Sequence, residues 1–166
     1  MPCTVRMRWC TLSAMRPARG ILLGGTLAGV LDILAAFLIS WPRVPPVRVL
    51  QYIASGALGP PAFRGGVSTA AAGLALHFVI AFAAAAAYVA ASRRWRLLLA
   101  RPVACGIAYG LVVYAVMQLV VLPLSRVTRG TPTLRSVAMM MAIHIVCVGL
   151  PIAFAARRAM LQTGFR

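Results

Sequence analysis

An all-α bundle that crosses a membrane four times is the fold this sequence predicts, and three observations predict it. Of the 166 residues, 62% are hydrophobic and only 11% charged, less than half the roughly 25% of a soluble domain, and the mean hydropathy is +0.92. Four apolar stretches each reach the ~20 residues that a helix needs to cross about 30 Å of hydrocarbon. There is no formal charge between Arg64 and Arg93, between Arg101 and Arg126, or between Arg135 and Arg157. Runs this continuous lack the alternation of barrel strands, and only helices otherwise satisfy their backbone in lipid.

The segment from Met1 to Arg19 is polar, carries Arg6, Arg8, Arg16 and Arg19, and has no apolar stretch of its own, so it does not read as a signal peptide. Met15-Arg16-Pro17-Ala18-Arg19-Gly20 reads as an alternative start, and the first 14 residues are then an upstream extension; mass spectrometry of the N-terminal peptide decides. A single membrane domain is expected over 20–158. Its first span, Gly20 to Trp41, is too long for a signal peptide, and Trp41-Pro42-Arg43 is a poor cleavage site.

The loop from Pro42 to Gly65 holds a helical pattern between Pro45-Pro46 and Gly59-Pro60-Pro61. Val47, Leu50, Ala54, Ala57 and Leu58 fall on one side, with Arg48, Gln51 and Ser55 sharing the other. This predicts a short interfacial helix on the outer membrane surface, shielding the loop or gating a substrate. The second and third spans follow at Gly66 to Ala91 and Pro102 to Leu122. Thr131-Pro132 starts the fourth, Leu134 to Ala156, and Pro151 should kink it. Residues 159–166 form a tail.

All 17 basic residues are Arg, Asp32 is the only acid, and the net charge is +16. Such a charge ordinarily points to nucleic acid. Here the arginines fall in the gaps between apolar runs, which is how a membrane protein anchors its helix ends against anionic lipid. Lipid is therefore the expected partner and nucleic acid is not; a second copy or another membrane protein stays open. Eleven arginines fall on the side of the two termini and six on the other, so both termini are expected in the cytoplasm. Cys3, Cys10, Cys105 and Cys147 make no CxxC pair, which argues against a disulfide framework, a zinc site or a thiol-exchange enzyme.

Asp32, His77 and His144 lie near the centres of the first, second and fourth spans, each within ~3 Å of axial rise of its midpoint. Charged groups at that depth cost ~2.5 to 3.5 kcal/mol even on the lenient scale and normally face the protein interior. Small residues share their sides: Gly25, Ala28, Gly29 and Ala36 with Asp32, and Ala70, Gly73, Ala81 and Ala84 with His77. Such residues permit close helix packing, and Gly25 with Gly29 makes a GxxxG element. In the third span Gly106, Gly110, Tyr114 and Gln118 recur every fourth residue, so Tyr114 and Gln118 are expected to join the cluster. Met140, His144 and Cys147 share a side of the fourth.

Three readings follow. A hydrogen-bonded clasp of Asp32, His77 and His144 would fix helix pairing at ~0.6 kcal/mol per contact in a structural or accessory protein. A proton or cation site in a transporter would use a carboxyl and imidazoles that exchange protons in low dielectric. As a third reading, His77 and His144 would ligate a b-type haem or, with Asp32, a metal ion. No phosphate loop, nucleophile-base pair or second carboxylate is present, so a non-enzymatic role is expected.

Gly29-Val30-Leu31-Asp32-Ile33-Leu34, Val47-Arg48-Val49-Leu50-Gln51-Tyr52-Ile53-Ala54-Ser55-Gly56 and Leu76-His77-Phe78 together resemble an uncharacterised family of small four-span bacterial inner-membrane proteins, over Gly20 to Arg158. The resemblance implies the location and no activity. A carboxylate in the first of four spans is also similar to the small multidrug resistance transporters. This chain departs from them in using Asp for Glu, in its two midplane histidines and in its long first loop.

Overall fold

The computed structural model describes residues 3–127 and 130–161, with side chains from residue 17 onward. The expectations for the side chains of Cys3, Arg6, Arg8, Cys10 and Arg16, and for Arg129 and 162–166, lie outside what is described.

Each element among the described residues is helical. α1 (Cys3–Ser40) leads to the short α2 (Pro46–Leu58), and a single tight turn, Pro60–Arg64, leads on to α3 (Gly66–Arg94). One further turn, α4 (Leu97–Ala100), precedes α5 (Pro102–Leu124) and α6 (Leu134–Leu161). Four lengths, Pro17–Ser40, Gly66–Arg94, Pro102–Leu124 and Leu134–Leu161, are long and apolar enough to cross a membrane. The chain is a multi-pass integral membrane protein, a four-helix bundle with a short helix in its first loop. The helical backbone of α1 continues back to Cys3, beyond the expected start at Gly20, with Pro17 inside it. The Thr133 hydroxyl caps α6 by accepting from the Ser136 amide at 3.2 Å.

α1 packs between α3 and α6, and α5 lies against α6. Gly20 sits beside Val89 of α3 and Ala156 and Ala159 of α6, so α1 starts where α3 and α6 finish; this is the terminal end of the bundle, and α2 covers the opposite, loop end. The core lies toward the terminal end, where Ala85, Tyr88, Val89, Ile152, Ala153 and Ala156 are buried together. Gly106 and Gly110 are spaced for a close crossing, and the crossing is with α6: a Cβ on Gly110 would stand 2.6 Å from the Ile145 Cα, and Gly149 meets the Gly106 carbonyl. Gly25 and Gly29 instead receive rings, those of Phe82 and Phe78 of α3.

α2 presses on α3 so closely that Gly73 meets the Leu50 carbonyl. Its faces match the expected ones in part, with Ala54 of the apolar side buried at 0% exposure. Gln51 and Ser55 are buried at 3% exposure each, while Val47 and Leu58 are 46% and 47% exposed; of the expected polar face only Arg48 remains outside. The polar side chains of α2 find backbone carbonyls, two of them in the segment that follows and one within α2 itself. Gln51 donates to the Gly66 carbonyl at 3.0 Å, Arg48 to the Phe63 carbonyl at 3.1 Å, and Ser55 to the Tyr52 carbonyl at 2.7 Å. An unpaired backbone carbonyl in an apolar setting costs more than exposing an aliphatic side chain to lipid.

Two wide π-helical turns, Met117–Val121 in α5 and His144–Gly149 in α6, each finish two residues before a proline, Pro123 and Pro151. Proline lacks the N–H that the carbonyl four residues back would accept, and its ring crowds that carbonyl. Widening the preceding turn accommodates both effects, and such turns frequently mark functional positions.

Candidate functional site

At the centre of the bundle is a cavity of about 240 Å³. Ala28, Asp32, Ile33 and Ala36 of α1 line it, together with His77, Ile80, Ala81 and Ala84 of α3, Val113 and Met117 of α5, and His144 and Val148 of α6. Spacings of three and four on each span put these residues on a single inward face. Val49, Tyr52 and Ile53 of α2 line its loop end, and the Tyr88 and Ile152 core lies beyond Ala84 and Val148 at the other. The widened turns contribute Met117, His144 and Val148, so the two proline positions bear directly on the shape of this space.

The chain's single carboxylate and both its histidines thus border one cavity. Their hydrogen bonds go elsewhere than a mutual clasp. His77 Nε2 lies 2.9 Å from the Gly29 carbonyl across the α1–α3 contact, and His144 Nδ1 lies 2.8 Å from the Met140 carbonyl one turn back in its own helix. A carbonyl oxygen only accepts, so in each pair the ring nitrogen donates. Among the described residues no ion pair joins Asp32 to either imidazole, and no buried side-chain nitrogen or oxygen lacks a partner. The carboxylate oxygens and the second nitrogen of each ring are therefore open rather than sealed in the protein.

Tyr114 stands edge-on to His144, ring centroids 5.6 Å apart, and is not among the residues that line the cavity. Gln118 is half-buried in the α5 π turn beside Met117 and has an interaction of its own. The residues of α5 that reach the cavity are Val113 and Met117, one position before each of the expected pair. Cys147 is a half-buried free thiol within electrostatic reach of Asp32. No three His, Cys, Asp or Glu side chains among the described residues are grouped as the ligands of a metal ion.

A second set of polar contacts, which the sequence reading does not contain, ties the terminal end. Tyr109 donates to the Ala84 carbonyl at 2.6 Å and Tyr88 to the Leu98 carbonyl at 3.0 Å, with the two rings edge-on at 4.9 Å. Arg157 donates to the Leu99 and Ala100 carbonyls, each at 3.1 Å. The only sequence signal for these is a pair of tyrosines inside apolar spans, where a hydroxyl has to find an acceptor.

Fold and cavity define a class: four-span helical membrane proteins with a central cavity that carries an acid and two imidazoles. Compared with family models, with characterised proteins and with solved structures, the chain matches none.

Proposed function

We propose that the chain is a carrier of a small solute across the cytoplasmic membrane of a bacterium, coupled to protons through Asp32. The observation that supports this reading is the placement of the single carboxylate on a cavity of about 240 Å³ between all four spans. Ionisable groups at this depth are costly, and in membrane proteins they mark ion, proton or substrate paths. A carboxyl that takes up a proton when the solute leaves, and releases it when the solute binds, stays compensated at both stages of the cycle.

Each end of the cavity has one barrier. α2 covers the loop end and the Tyr88–Ile152 core blocks the terminal end, so alternating access needs the two barriers to open in turn. The arginine distribution supports cytoplasmic termini, and with that orientation the α2 barrier faces outward. With no nucleophile-base pair at the cavity, binding and release suffice without a chemical step.

One observation favours a second reading. The His77–Gly29 hydrogen bond, at 2.9 Å, ties α3 to α1 and suits a structural or accessory subunit. Proteoliposomes containing a pH-sensitive dye and challenged with small cationic, anionic and neutral solutes distinguish the two. The carrier reading expects at least one solute to drive proton movement with wild-type protein and not with Asp32→Asn. If wild-type liposomes move no protons with any solute, the accessory reading stands instead; equal movement by the variant would take the coupling away from Asp32.

A further inference from the structure

We infer that the cavity recognises an organic cation through its N–H donors, a protonated amine or amidine, in preference to a quaternary ammonium of similar size. The inference rests on the reading of the cavity as the solute site and specifies the solute's chemistry.

Hydrogen-bond polarity carries the argument. Because His77 Nε2 and His144 Nδ1 donate to the Gly29 and Met140 carbonyls, each neutral ring has committed its proton to the backbone. The remaining nitrogens, His77 Nδ1 and His144 Nε2, then carry lone pairs and accept. Asp32 also accepts, through both oxygens. Three side chains that line the cavity from three different spans therefore offer acceptors, none of them sealed by a protein partner.

An anion meets no complementary donor in this set and is repelled by the carboxylate. A neutral apolar solute leaves the carboxylate without compensation in surroundings of low dielectric. A quaternary ammonium supplies charge but no N–H group, so it leaves the imidazole lone pairs unpaired. A protonated amine or amidine supplies both charge and several donors, and charge-assisted hydrogen bonds are the stronger kind. The rest of the wall, including Ile33, Val49, Ile53, Ile80 and Val113, suits an apolar body. A cavity of roughly 150 Å³ holds a benzene, so about 240 Å³ accommodates an aromatic ring with a short amine arm.

Titration calorimetry on the full chain in lipid nanodiscs, with empty discs as the blank, tests this with phenethylammonium, benzamidinium, phenethyltrimethylammonium and phenethyl alcohol. Phenethylammonium or benzamidinium is expected to bind about tenfold or more tightly than the trimethyl compound and the alcohol. Asp32→Asn, close to isosteric, is expected to lose about tenfold or more in amine affinity. Equal affinity of the amine and trimethyl probes, no binding of either N–H cation, or an unchanged Asp32→Asn would overturn the inference. Should that variant fail to fold, the wild-type preference among the four probes decides alone. Proton flux driven only by an anionic or neutral solute would leave the carrier reading standing and sink this inference; the stated preference without any flux would do the reverse.

Discussion

Tyr109 illustrates what one polar atom does inside an apolar span. Its hydroxyl reaches the Ala84 carbonyl at 2.6 Å and its ring lies edge-on to Tyr88, so α5 and α3 are joined by a hydrogen bond and an aromatic contact at the same level. Tyr109→Phe keeps the ring and removes the bond, and is expected to cost about 1 kcal/mol, read as a lower midpoint of thermal unfolding in detergent with no loss of amine binding. Asp32, His77 and His144 were legible in the sequence because hydrocarbon penalises charged forms near the middle of a span, whichever way the helix faces. Tyr109 was not, since a tyrosine in an apolar span is inexpensive, and only the neighbouring helix supplies its acceptor. The same holds for the two imidazole donors. Their acceptors are backbone carbonyls, and no pattern of side chains predicts which carbonyl lies within reach.

Among the elements, α2 departs furthest from its sequence pattern. Its length and limits followed from Pro45-Pro46 and Gly59-Pro60-Pro61, and the helix runs Pro46–Leu58 as those breakers dictate. Its orientation followed only in part: Ala54 of the hydrophobic side turns inward as such a side normally does, but Gln51 turns inward as well and donates to the carbonyl of Gly66, the first residue of α3. The seat for α2 is Gly73, which meets the Leu50 carbonyl, so Gly73→Val is expected to force the helix off α3 at a cost on the order of 1–3 kcal/mol. In a cysteine-free background, a cysteine at position 54, where Ala54 is 0% exposed, should resist maleimide until Gly73→Val is added. Equal labelling with and without the valine would show that α2 is held by other contacts. The π turns in α5 and α6 follow the same logic: Pro123 and Pro151 are visible in the sequence, but whether a proline bends a helix or widens the turn before it depends on what the neighbouring helix allows.

For the whole molecule, the first span begins at the face of the bundle where the fourth ends, with Gly20 against Ala156 and Ala159. Arg19, Arg93, Arg94, Arg96 and Arg101 lie exposed toward this end, and no acid accompanies them in the sequence. The excess predicts cytoplasmic termini: a fluorescent protein fused at the C-terminus should fluoresce, and an alkaline phosphatase there should stay inactive. An active phosphatase would reverse the orientation and place the α2 barrier inside. The sequence by itself determined the all-α class, the number of stretches long and apolar enough to cross a membrane and the presence of α2, because each depends only on how apolar a stretch is and on local backbone chemistry. Only the tertiary structure decided that α2 buries its glutamine, that Gly149 completes the α5–α6 crossing, and that Asp32, His77 and His144 border a cavity rather than clasp one another. Those outcomes depend on which helices become neighbours and on which carbonyls still need a donor once they have packed.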